Sequence, residues 1–211
     1  GGAEKVLVNL VNNMDRTKFD ITVMALFGGG INEQFLAKDI RLIICHKKVF
    51  RGNSHIMKLF TPKQLYRHYI KDHYDVVVSY LEGPCTRILS GCGDPATKRI
   101  AWLHIELDTP KAAAIGFRSP REAEIAYNSF DGIVAVSKNV QTCFLKQLQI
   151  NKPVTILYNT NETEQILECC QEQPENPDFC PENDISICSV AKLTKTKGFD
   201  RLLKVHKRLL D

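Results

Sequence analysis

Hydrophobic positions along the chain switch repeatedly between helical and strand-like patterns. Residues 3–14 place Val6, Leu7, Leu10, Val11 and Met14 three and four apart, the spacing of an amphipathic helix. Residues 19–27 are a nearly continuous apolar run closed by Gly28, Gly29 and Gly30. Such a run reads as a parallel strand buried on both faces and ended by a turn. A second short strand is expected over 40–45. Thr61 followed by Pro62 marks a helix start, with Leu65, Tyr66, Tyr69 and Ile70 as its apolar face. Residues 75–80 (DVVVSY) read as another buried strand, 84–90 as a helix, and 98–104 (KRIAWLH) as a strand with a polar tip. A helix over 120–129 and a strand over 132–136 follow. Ser137 then caps a helix through Leu148 that turns Val140, Phe144, Leu145 and Leu148 inward. Residues 154–158 form a further strand.

Composition changes after that point. Residues 159–183 hold Pro174, Pro177 and Pro181 among many Glu, Gln and Asn, the character of a linker with a short helix near 162–170. A new unit follows, with a strand over 185–190 and a helix over about 198–210. Phe199, Leu202, Leu203, His206, Leu209 and Leu210 make that helix's inward stripe. Alternating strands and helices predict an α/β fold, a Rossmann-like parallel sheet with helices on both faces. The expected organisation is a domain over 1–160, a linker over 161–183, and the first βα unit of a second Rossmann-like domain over 184–211.

The 211 residues are 44% hydrophobic and 25% charged, which excludes wholesale disorder. The net charge of +4 permits contact with phosphates or an anionic membrane face without calling for a nucleic-acid partner. No run approaches the ~20 apolar residues that span a bilayer, and no basic start with an apolar core opens the chain. Eight cysteines follow no compact framework and include no C-x-x-C pair. They read as reduced thiols of a cytosolic protein, with a metal held by Cys169, Cys170 and Cys180 as the lesser alternative.

In a parallel α/β sheet, ligands sit at the carboxyl ends of the strands. Gly1 and Gly2 stand before a helix, where free amides hold an anion, or they are an ordinary glycine turn. His104 ends a strand, where it donates to a substrate hydroxyl or stabilises charge, or is simply a satisfied strand-end histidine. Lys192 and Lys197, with Lys195 between them, clamp a diphosphate or form a solvated basic loop. Gly28 to Gly30 lacks the G-x-G-x-x-G spacing and reads as a turn, with acceptor contact as the alternative. Glu82 faces the cleft or serves as a carboxylate at a helix start. No Ser/His/Asp order or nucleophile elbow supports hydrolysis.

GGAEKVLVNLV, FDGIVAVSKNVQTCF, VTILYNT and SVAKLTKTKGFDRLL occur in that order. Together they resemble the retaining glycosyltransferases of family 4, whose GT-B fold sets two Rossmann-like domains across a cleft. GGAE and AKLTKTKGFDRLL are the most specific segments. The resemblance implies transfer of a sugar, with retention, from a nucleotide diphosphate-sugar to a saccharide or lipid-linked saccharide acceptor, as in polysaccharide biosynthesis. It implies no metal and no cofactor beyond that co-substrate. Residue by residue, it implies that Gly1 and Gly2 approach the donor phosphates, that His104 is catalytic beside the donor sugar, and that Lys192 and Lys197 neutralise the leaving diphosphate. The donor phosphate itself helps deprotonate the acceptor.

Some positions depart from the family pattern. Lys192 stands where Arg is usual, keeping the charge and losing the fork. Thr160 follows Asn159 where Gly or Pro is common. The resemblance also places a central strand ahead of the glycine loop and an acidic donor-binding motif further on, neither of which is in this sequence. The expectation is therefore an acceptor-side domain, an incomplete donor-side domain, and weak or no transfer by these 211 residues alone. The expected location is the cytoplasm. There Lys63, Arg67 and Lys71, beside Leu65, Tyr66 and Tyr69, touch the inner membrane face, or they lie on a helix merely packed on the sheet. The alternatives are a non-catalytic truncated binding protein of the same fold and an unrelated nucleotide-binding module.

Overall fold

The computed structural model describes residues 2–49, 52–172 and 187–210. The chain divides into two compact units, Gly1–Glu162 and Thr163–Asp211. The first holds β1 (Thr22–Phe27), β2 (Arg41–His46), β3 (Val76–Ser79), β4 (Lys98–Leu103), β5 (Gly132–Ala135) and β6 (Val154–Ile156). Its helices are α1 (Gly2–Asn12), α2 (Asn53–Leu59), α3 (Pro62–Tyr69), α4 (Pro84–Leu89), α5 (Pro110–Ala113), α6 (Pro120–Ser129) and α7 (Lys138–Gln147). Sequence periodicity missed α2 and α5. The first is seven residues long and has no side-chain cap, and the second is a single turn.

Short polar side chains cap α3, α6 and α7, those at Thr61 and Ser137 as expected. Thr61 Oγ1 accepts from Gln64 N, and the Gln64 side chain returns to Thr61 N at 2.8 Å, a reciprocal capping box. Ser119 caps α6 through Glu122 N, and Ser137 caps α7 through Val140 N.

All ladders are parallel. β1 pairs with β2, while β3-β4-β5-β6 form a second sheet in sequential order. No ladder joins β1 to β3 among the described residues.

The sequential order decides which side of the second sheet is buried. Right-handed crossovers that always step the same way place every connecting helix on one face. Val77, Ala101, Leu103, Ile133, Ala135 and Val154 point to that face. They join one core with Ile88 and Leu89 of α4, Ala123 and Tyr127 of α6, and Val140 and Phe144 of α7. Ala101 and Leu103 are 0% exposed. The opposite face carries Val76 and Val78, which are 49% and 43% exposed. The expectation of a strand buried on both sides over 75–80 is therefore corrected to a strand buried on one. Leu145, expected inward, is 42% exposed, because Val140, Phe144 and Leu148 already fill the side of α7 that meets the sheet.

Leu65 is buried, and Tyr66 and Tyr69 pack against the same core. Only the charged side of α3 faces outward.

A buried cation holds α2 in place. Arg87 on α4 is fully buried, and its guanidinium donates to Met57 O at 2.8 Å and Phe60 O at 2.7 Å, carbonyls at the end of α2. It also pairs with Glu122 of α6 at 2.9 Å. Arg118 donates to the carbonyls of Lys58, Leu59 and Phe60. The two arginines thus satisfy the last carbonyls of α2, which a helix end leaves without partners. Partial burial pushes the Glu122 carboxyl up, but the hydrogen bond from Arg87 and those around it hold it below its ordinary value of 4.5.

The second unit contains α8 (Thr163–Cys169), a 3-10 turn (Lys195–Lys197) and α9 (Phe199–Leu210). Gly198, with φ 74°, joins the last two. The helices fall where the sequence placed them. The strand expected over 185–190 does not form where it is described. Residues 187–190 carry no ladder, and its first two positions lie outside the described residues, as does the expected linker from 173 to 183. A β-strand needs a neighbour to bond with, and residues 187–190 meet none. The α9 stripe has the predicted spacing but is not buried, with Leu209 and Leu210 about three-quarters exposed, at 74% and 75%.

Two predictions follow from this packing. Arg87→Met removes a donor from the Met57 and Phe60 carbonyls and the buried cation that faces Glu122, and should cost about 3 kcal/mol or more in urea unfolding; a loss under about 1 kcal/mol would refute the clamp. The Glu122 contribution is full at neutral pH and fades as pH falls below 4.5. Gly116 has φ +83°, and a Cβ there would lie 2.4 Å from Gly83 C, whereas one at Gly93 would meet nothing within 4 Å. Gly116→Ala should therefore lower the melting temperature by several degrees, and Gly93→Ala hardly at all; equal effects would refute the close approach.

Candidate functional site

β3 and β4 run side by side, with Val78 opposite Ile100 and Ser79 opposite Ala101. Alternation then sends Tyr80, Trp102 and His104 to the face that the helices leave uncovered. The three rings form one cluster. Tyr80 lies 4.5 Å from His104 and 5.2 Å from Trp102, centroid to centroid. Trp102 and His104 stack at 6.4 Å with 17° between planes.

His104 is held by the strand beside it. Its ring donates a hydrogen bond to the Tyr80 carbonyl. Nε2 is enclosed and has no partner, so Nδ1 carries the proton in that bond. Burial lowers the ring's pKa from its ordinary 6.5, outweighing the carbonyl's opposing pull. At neutral pH, His104 is therefore a neutral ring whose Nε2 accepts. The sequence offers a donor, a charge-stabilising group or a satisfied strand-end histidine; burial disfavours the cation at this position. Tyr80 Oη and Trp102 Nε1 are likewise enclosed without partners, and burial pushes the Tyr80 phenol up to about 12.

Glu82 follows two residues after Tyr80. Its carboxylate accepts from the backbone N–H of His104 and from that of Ile105 at 2.9 Å. Burial pushes the carboxyl up, while the hydrogen bonds from Ile105, its own amide and His104 pull it down. The helix-start role considered for Glu82 is thus replaced. The side chain turns from α4 to the end of β4, where two amides beyond the ladder need an acceptor. The next residue, Gly83, has φ +90°, and a Cβ there would come within 3.2 Å of Ile115 O.

The other expected site residues stand elsewhere. Gly1 lies outside the described residues. Gly2 begins α1, is exposed, and has nothing within 4 Å of where a Cβ would sit. That helix packs on the turn after β1 through Asn12, whose side chain donates to Phe35 O at 2.8 Å and accepts from Ala37 N at 2.9 Å. Lys192 and Lys197 belong to the second unit, both exposed, with Lys197 closing the turn before Gly198. Gly28 to Gly30 lie between β1 and the 3-10 helix over Ile31–Phe35, and Gly28 N donates to His46 O at 2.9 Å.

Among the described residues, no three His, Cys, Asp or Glu side chains are placed to hold a metal, and no helix is long and apolar enough to cross a membrane. Cys169, Cys170 and Cys188 are free and exposed. Tyr80 and Trp102 were missed as site residues. The signal was the shared parity of Tyr80 with Val76 and Val78, and of Trp102 with His104.

Neutral His104 predicts its own titration. The unfolded chain takes up the proton more readily, so stability from this residue is complete above pH 6.5 and is lost as pH falls below it. An NMR titration should place the ring's pKa under 6.5, with the proton on Nδ1 at pH 7; a value at or above 6.5 would contradict the burial argument.

No curated protein matches the chain closely enough to count as a relative. The family model described as Glycosyltransferase Family 4 matches residues 1–165, well over half of the chain. With a parallel α/β sheet flanked by helices and a polar cluster at the carboxyl ends of its strands, this chain belongs to glycosyltransferase family 4.

Proposed function

We propose that this glycosyltransferase moves a sugar from a nucleotide diphosphate-sugar to a saccharide or lipid-linked saccharide, retaining the anomeric configuration. The observation that carries the site assignment is His104. It is a neutral ring at a strand's carboxyl end, anchored through one nitrogen and left without a partner at the other. Sugar hydroxyls are donors and Nε2 is an acceptor; it is enclosed here, so in this reading the ring cluster shifts to admit the sugar. In this reading His104 is the catalytic residue that orients the donor sugar.

The leaving diphosphate gains negative charge as the glycosidic bond breaks. Lys192 and Lys197 take the role of fixed cations that stabilise this charge, and the amides of Gly1 and Gly2 take the role of close backbone donors. The exposed setting of both lysines and the open space at Gly2 support this assignment. A donor phosphate oxygen takes the acceptor's proton, so the reading assigns no metal and no protein base. Residues 1–160 form the acceptor-side domain, 161–183 the linker and 184–211 the start of the donor-side domain. The protein works in the cytoplasm. Contact with an anionic membrane face runs through Lys63, Arg67 and Lys71, and is electrostatic because the apolar side of α3 is turned into the core.

Titration of isotope-labelled protein with UDP-glucose, UDP-N-acetylglucosamine and GDP-mannose tests this reading. At least one should move the His104 ring signals in a way that UDP or GDP alone does not. His104→Ala should weaken that binding by up to about tenfold, the scale of one hydrogen bond. Identical responses to nucleotide and nucleotide-sugar would overturn it.

A further inference from the structure

We infer that Glu82 is a positioning residue for His104, resting on the reading that His104 meets the sugar. The β4 ladder stops at Leu103, whose carbonyl accepts from Val136 N at 3.1 Å. Beyond it, the main-chain N–H groups of His104 and Ile105 both go to the Glu82 carboxylate. The His104 ring goes to the carbonyl of Tyr80, two residues earlier in the same loop. The loop over 80–82 therefore grips His104 twice, once by its main chain and once by its ring.

The loop is itself stiff. Leu81 O accepts from Ser79 Oγ at 3.0 Å and from Thr86 Oγ1 at 3.2 Å, and those two hydroxyls lie 2.9 Å apart. Gly83 then follows, where an added Cβ would come within 3.2 Å of Ile115 O. A gripped main chain matters here because a strand end without a ladder partner otherwise frays. Fraying would let the ring leave Tyr80, and Nε2 would lose its fixed direction and tautomer. Glu82 touches no reacting atom in this account. It acts through His104.

Amide exchange and His104 ring NMR on Glu82→Ala and Glu82→Gln test the inference. Glu82→Ala should speed exchange at His104 and Ile105 by about tenfold or more, leave Ala101 and Leu103 protected, and mix the ring's two tautomers. Glu82→Gln keeps an oxygen acceptor and should restore the single tautomer. An unchanged ring signal in Glu82→Ala overturns the inference, and so does equal loss of protection at Ala101, which marks a purely structural role. If Glu82→Ala does not fold, Glu82→Asp draws the carboxylate back and carries the same expectation, and wild-type ring signals in it overturn the inference. The wild-type titration with the three nucleotide-sugars is a separate arm. A silent His104 ring there sinks the sugar-site reading and leaves the Glu82 grip to be judged by exchange and tautomer.

Discussion

The order of the second sheet is the constraint on which the first unit depends. Strands added always on the same side, through crossovers of one hand, leave all connecting helices on one face. The residues that β3 to β6 contribute to the main core cluster have the parity of Val77, Leu103 and Ala135; Val134, which shares the parity of Trp102, is buried outside that cluster. The helices then compete for one face, which is why small residues recur there. Ala101, Ala123 and Ala135 are fully buried and let α4 and α6 approach the sheet. The same crowding puts Arg87 out of reach of water, so it must be fully bonded, and it is used to finish α2.

The uncovered face is where chemistry collects. A residue that points away from the helices at the end of a strand escapes the apolar core while keeping the rigidity of the ladder. Trp102 lies in β4, and Tyr80 and His104 directly follow β3 and β4, so the pairing of these two adjacent strands sets where the three rings emerge. The loop over 80–83 adds what strands lack, a carboxylate and a left-handed glycine in sequence. Gly83 and Gly116 permit two backbones to meet closer than any side chain allows, and that contact seats the loop that holds His104.

Local signals in the sequence carried most of the elements. Thr61 and Ser137 announce their helices because a side-chain oxygen bonds an amide only three residues away, and Ser119 does the same for α6 without having been singled out. The apolar strand runs were legible for the same local reason. Whether one face or two is buried was not legible, because DVVVSY reads alike in either case and strand order is a long-range property. The lack of a ladder over residues 187–190 was not legible either, since a strand depends on a neighbour that no local pattern supplies. His104 was found from its place at a strand end and from the family resemblance. Its neutral state was not, because that depends on burial by residues distant in sequence, which outweighs the opposing pull of the Tyr80 carbonyl. Glu82 was noticed for its position and given the wrong partner, since helix α4 is its neighbour in sequence and β4 its neighbour in space.

The charges at the β3 and β4 exits argue for the kind of group that belongs there. A phosphate needs donors, and it would face the Glu82 carboxylate and a histidine whose one proton is already committed to Tyr80. Like charge and missing donors both disfavour it. A hydroxyl suffers neither penalty. It donates to Nε2 and carries no net charge into a partly desolvated place. If His104 were cationic, the preference would reverse and the strand end would draw phosphate instead. The burial that lowers its pKa therefore favours a hydroxyl over a phosphate at this strand end, because it keeps a residue that titrates near neutrality in water as a neutral ring.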